Sequence, residues 1–144
     1  MQLKSIVVNK SWGGFSLSYE GVMAYAKNKG IKLFAYVDKR DERGDLLPLE
    51  EKNRFKSYSG EEKAFIIYYF TKPLKDGDYD ENSYFSESDI KRDDPALVKT
   101  VKQLKEKANG NCARLVIVKI PNDVEWEIDD YDGMETVHEK HRSW

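Results

Sequence analysis

The sequence predicts an α+β fold: a single domain over residues 1–144, built on a mixed, largely antiparallel sheet in the order β-α-β-β-α-β-β-α, with two main helices and a short C-terminal helix. Three observations carry this. Complete helix signals, with an N-cap and a stop, occur twice. Short β-branched and aromatic runs fill the spaces between them. The length of 144 residues, with 40% apolar and 12% aromatic content, is enough to bury roughly 68% of the unfolded surface in one core.

The elements follow in order. LKSIVV (3–8) is a β-branched run that stops at Asn9, a first or edge strand. Ser18 is placed to cap SYEGVMAYAKNKG, Glu20 suits the positive end of the helix dipole, and Gly30 is a C-terminal stop. IKLFAYVD (31–38) reads as a second strand. Residues 39–62 interleave acids and bases and read as a variable excursion, with a short helix near 49–55. AFIIYYF (64–70) is apolar or aromatic on both faces, as a central strand requires.

The next stretch, PLKDGDYDENSYFSESDIKRDD, carries eight acids against three bases and predicts a second flexible or variable segment over about 73–92. DDPALVKTVKQLKEKANG then has the cleanest helix signals in the chain. Asp94 is the N-cap and Pro95 the first helical residue. Leu97, Val101, Leu104 and Ala108 form one face, and Asn109-Gly110 ends it. ARLVIVKI (113–120) is a buried strand, and VEWEID (124–129) alternates as a half-buried strand pairing back on it. Asp132 with Glu135 three residues later matches a capping box opening the C-terminal helix.

Composition limits the function classes. A net charge of −2 gives no general reason to bind DNA or an anionic membrane surface. No apolar run approaches the ~20 residues of a spanning helix, and the N-terminus has no signal-peptide core. The single cysteine, Cys112, excludes an internal disulfide, fits a reducing cytosol and is expected as a small buried hydrophobe.

Three places hold groups unusual for their surroundings. In NKSWGGFSLS (9–18), glycines permit close backbone approach, and Phe15 or Trp12 offers a face for a base; the alternative is a plain strand-to-helix turn. Arg92 lies just outside a helix start, where a guanidinium and free N–H groups can share a phosphate; the alternative is pairing with the surrounding acids. His138, His141 and Arg142 stand at i, i+3 and i+4, able to share a helical face, after seven acids and no base between residues 120 and 135. HEKH lacks the HExxH spacing, and Asp129, Asp130 and Asp132 fit a strand exit and an N-cap, so no metal is expected. No nucleophile elbow, P-loop, CxxC pair or dinucleotide fingerprint is present, and no catalytic residue is assigned.

GGFSLS near the start, RDDPALV opening the second helix, ANG at its end, and IPNDVEWEIDDYDGMETVHEKHRSW at the finish resemble the phage anti-Thoeris sponge family of the first-described type. The likeness covers the first thirty residues and nearly everything after residue 90, and does not reach 39–89. It implies a phage immune-evasion protein acting in the cytoplasm of the host bacterial cell. Such a protein sequesters a nucleotide second messenger, a cyclic ADP-ribose isomer, without cleaving it. It implies no enzyme activity, no cofactor, no DNA or membrane partner, and a homo-oligomer, either a dimer or a hexamer built from dimers. Some members carry further sites for cyclic oligonucleotides. A sponge needs cations and amides for phosphates and rings for adenine. Phe15, Arg92, Asn109 and Arg142 meet that need here, with Ser16 and His138 beside them as ligand-binding candidates. Two other classes remain open: a hydrolase of such a messenger, with or without histidine chemistry at His138 and His141, and a protein-binding inhibitor docking through the acidic segment 73–94.

Overall fold

The computed structural model describes residues 2–38, 46–48, 67–76 and 78–140. In chain order its elements are β1 (Leu3–Asn9), α1 (Tyr19–Lys29), β2 (Phe34–Asp38), β3 (Leu46–Pro48), β4 (Ile67–Phe70), β5 (Tyr84–Phe85), α2 (Pro95–Leu104), β6 (Leu115–Pro121), β7 (Trp126–Tyr131) and β8 (Met134–Glu139). Among the described residues the fold is α+β, with antiparallel sheets and two α-helices. The sheet is divided rather than continuous: β1 pairs β6, β7 pairs β8, and a four-stranded sheet runs β3-β2-β4-β5. By contact the chain separates into two compact units, Ile31–Ser86 and the remainder.

In the unit formed by both ends of the chain, β1 runs antiparallel to β6 from Leu3↔Pro121 to Asn9↔Leu115. Ile6, Val7 and Val8 are fully buried there. Both helices start where their capping residues stand; α1 also stops at its expected Gly30, whereas α2 ends at Leu104, ahead of the expected Asn109-Gly110 stop. Ser18 Oγ accepts from Gly21 N at 3.0 Å, and Gly30 closes α1 in the left-handed conformation. Asp94 Oδ1 accepts from Ala96 N at 2.9 Å, with Pro95 opening α2. Val22 and Ala26 of α1 and Leu97, Val98 and Val101 of α2 are buried. Beyond Leu104 the chain tightens into a 3₁₀ turn, Lys105–Ala108.

A buried polar link joins the helices. Tyr25 Oη donates to Asp94 Oδ2 at 2.8 Å, and Lys29 Nζ donates to the same oxygen at 3.1 Å. Burial alone would raise the Asp94 pKa, but the bonds from Tyr25, Ala96 and Lys29 outweigh it and hold the carboxyl below its ordinary value. The same link, with burial as the larger cause, pushes the Tyr25 phenol up to about 12. A group whose folded pKa is raised stabilises fully below its unfolded pKa, so this contribution is lost as pH rises from 10 toward 12. Tyr25→Phe is expected to remove about 1.5–3 kcal/mol at neutral pH, the range for a hydrogen bond to a charged group. Chemical denaturation of both proteins at pH 7 and pH 12 checks this: the gap should narrow in alkali.

Two expectations are corrected at the C-terminal end. Residues 134–139 are strand, not helix, and β7 pairs with β8 rather than with β6. Asp132-Gly133 is a two-residue hairpin loop with φ of 50° and 91°. Asp-Gly with both residues at positive φ is the preferred chemistry of a type I′ turn, whose twist matches the strands it joins. Tyr131↔Met134 closes the ladder. Asp132 therefore turns a hairpin where a capping box would have opened a helix. Cys112 is also corrected: it is exposed, in a turn at φ 65°.

The second unit is aromatic. β4 lies between β2 and β5, as an apolar run at 64–70 requires, and its first three residues fall outside the described ones. Phe70 is fully buried and meets Tyr36, Tyr79 and Tyr84 edge to face. Tyr36 Oη accepts from Leu74 N at 2.8 Å. The acidic stretch after it folds into 3₁₀ turns at Glu81–Ser83 and Glu87–Asp89. The excursion over 39–62, apart from β3, and the short helix near 49–55 lie outside the described residues.

Candidate functional site

The candidate residues near the start of the chain come together around Asn9, which is fully buried. Its Nδ2 donates to Ser11 O and Gly133 O at 2.8 and 2.6 Å, and its Oδ1 accepts from Arg114 N at 2.8 Å. Its backbone N–H donates to Glu135 Oε1 at 2.8 Å. Glu135, with its side chain 4% exposed, faces Arg92. Arg92 donates from Nη1 and Nη2 to the two carboxylate oxygens at 2.5 and 2.8 Å, the two-pronged geometry guanidinium favours. Phe15 covers the same guanidinium, its ring centroid 3.7 Å from Cζ. Arg92 and Phe15 are thus brought together, and they spend their recognition chemistry on each other and on Glu135.

The two glycines that separate Trp12 from Phe15 have a neighbour of their own. Gly133, in the β7–β8 turn, stands against the backbone of Gly13 and Gly14, and Gly13 N donates to Asp132 O at 3.3 Å. The close approach permitted by this Gly-Gly pair is made by the protein's own hairpin. Glu87 fastens the end of the loop, its Oε2 accepting from Leu17 N at 2.9 Å. Burial raises the Glu87 pKa, and the bond from Leu17 lowers it only in part.

The segments that carry Ser16 and Asn109 run side by side. Gly110 N donates to Ser16 O at 3.0 Å, and Leu17 bridges Asn109. Asn109 Oδ1 accepts from Leu115 N at 2.9 Å, setting the start of β6. His138 lies apart, on the β7–β8 hairpin. Its Nε2 stands 2.6 Å from Asp129 Oδ2 and 3.6 Å from Glu127 Oε1. The bond to the Glu139 carbonyl first, and the carboxylates of Asp129 and Glu127 next, raise its pKa against opposing desolvation. Arg142 and His141 lie outside the described residues.

No family model, curated protein or solved structure matches this chain.

A groove of about 720 Å³ opens between the start of β1, the outer face of α2 and the turn after β6. Three lysines, Lys4, Lys99 and Lys102, line it, against one acidic residue, Asp93. Pro95 and Val98 supply apolar surface, and Gln103 and Asn122 supply amides. Lys4 is anchored, its Nζ donating to Val124 O at 2.9 Å. The volume lies within the usual range for small-molecule sites, and apolar walls with a few cations and amides suit an anionic, partly flat ligand. No sequence motif marks these lysines. Lys99 and Lys102 sit three apart on the polar face of an amphipathic helix, which is the ordinary pattern of a solvated surface. Only the fold places Lys4 and Asn122 beside them.

Among the described residues no helix is long and apolar enough to cross a membrane.

Proposed function

We propose that this protein binds an anionic nucleotide messenger in the lysine-lined groove and holds it without cleaving it, as an anti-defence sponge in the cytoplasm of a bacterial host. The observation that carries the reading is the convergence of Lys4, Lys99 and Lys102 on one groove of nucleotide size. An ammonium group binds phosphate as a strong point charge, and three of them exceed the single opposing carboxylate. The resemblance of both ends of the chain to the anti-Thoeris sponge family points to a cyclic ADP-ribose isomer, with cyclic oligonucleotides as further ligands, and to a homo-oligomer.

The test is capture and release. The protein is incubated with the cyclic ADP-ribose isomer, freed of unbound ligand and heat-denatured. Intact messenger in the supernatant is the expected result; a cleaved product makes the protein a hydrolase and ends the reading. Reversing two charges with Lys99→Glu and Lys102→Glu is expected to weaken binding by about 1.5–3 kcal/mol per lost contact. Both side chains lie on the exposed face of α2, so the melting temperature should hardly move. Unchanged affinity in that variant would remove the groove from the reading. Light scattering reports the oligomer.

A further inference from the structure

Two aromatic rings stand out from the unit formed by the chain's ends. Tyr131 is 72% exposed and Trp12 is 56% exposed, and they meet edge to face with centroids 6.0 Å apart. Their backbones are fixed. Trp12 precedes the Gly13–Asp132 hydrogen bond, Tyr131 precedes the hairpin loop, and Gly133 packs against Gly13 and Gly14 where no side chain fits. Rings presented on so tight a backbone joint lose little freedom when a partner covers them, a property of residues that dominate interfaces.

The charge around them has one sign along the strand. Glu125, Glu127, Asp129, Asp130 and Asp132 are all exposed, and no base occurs between residues 120 and 135. Two basic side chains share this ladder, His138 with Nε2 2.6 Å from Asp129 Oδ2 and Lys140 opposite Glu125, and five exposed carboxylates outnumber them; Lys10 Nζ, close by, donates to Glu135 O at 2.7 Å. Charged side chains alone are enough to keep a strand edge from aggregating. They give no reason for two large rings to remain in water beside them.

We infer that the Trp12–Tyr131 pair and the acidic face of β7 dock a basic protein segment rich in arginine or lysine. A guanidinium or ammonium on the segment stacks on a ring face, where the ring's quadrupole attracts it, and neighbouring cations meet the carboxylates. A second copy of this chain would bring like charges together at the same face, and a nucleotide would be repelled from it. The surface is separate from the lysine groove, so the inference stands or falls independently of messenger binding.

The test uses the full chain and a short fluorescent peptide alternating arginine and serine, followed by anisotropy at low salt. A peptide alternating glutamate and serine is the control. Saturable binding of the basic peptide is expected, weakened about tenfold or more by Trp12→Ala and by Tyr131→Ala. Tyr131→Phe should keep the affinity, because the ring face remains. Equal binding by the alanine variants would show that the acids merely collect cations, and no saturable binding would show that nothing docks; either overturns the proposal. So would concentration-dependent self-association abolished by Trp12→Ala, which would make the surface an interface between copies.

Discussion

Glu135→Ala is expected to lower the unfolding free energy by about 3–5 kcal/mol, the cost of leaving one partner of a buried ion pair uncompensated. Glu135 is nearly inaccessible, and its two oxygens satisfy both Arg92 nitrogens and the backbone N–H of Asn9. Its removal leaves a guanidinium without its counter-charge and a buried donor without an acceptor. Glu135→Gln keeps an acceptor for Asn9 but removes the charge, so its loss should be smaller. Replacing the pair together, with Arg92→Met and Glu135→Leu, is expected to recover part of the stability, since the desolvation of two charges disappears with them. Urea denaturation of the three variants measures the order. A loss below about 1 kcal/mol for Glu135→Ala would mean that the pair behaves as an exposed one.

Gly133→Ala is expected to cost about 2–4 kcal/mol, from two separable sources. At φ 91° a side chain is strained in any surroundings, and here its Cβ would also run into the backbone nitrogens of Gly13 and Gly14. Neither neighbour is a flexible side-chain end, so the hairpin and the loop would have to move apart. Gly30 separates the two effects. Its φ is 82° and nothing lies within 4 Å of a built Cβ, so Gly30→Ala should show only the conformational part, about 1–2 kcal/mol. Equal losses at the two positions would show that the contact with the Gly-Gly loop carries no energy.

Elements with local signals were legible in the sequence, and contacts between distant segments were not. Ser18, Gly30, Asp94 and Pro95 act on their own helices, so both helix starts were found. AFIIYYF announced an interior strand because both its faces are apolar. Residues 132–135 carried two signals at once. The Asp-Gly pair and the alternation on either side of it specify a hairpin, and in VEWEIDDYDGMETVHE that period-two pattern outweighs a four-residue capping box.

The candidate residues show a different limit. Arg92 and Phe15 have the chemistry of a phosphate and base site, and that chemistry also suits Glu135 and a guanidinium. Which partner a cation takes depends on a fold that brings residue 135 beside residues 9 and 92, and spacing along the chain does not encode it. The lysine groove was invisible for the same reason, since Lys4 and Lys102 have no relation in sequence.

The pairing of β1 with β6 has a consequence for how the chain is made. Leu3 finds its partner at Pro121, so β1 has no ladder until every residue as far as β6 has left the ribosome. At ~5–20 residues per second that delay is several seconds. The three buried residues Ile6, Val7 and Val8 therefore spend that time without their native cover, whereas Ile31–Ser86 has all its own strands before α2 is made. Birth order and assembly order run opposite ways for β1: it is made ahead of the strands of Ile31–Ser86 and gains its ladder after them.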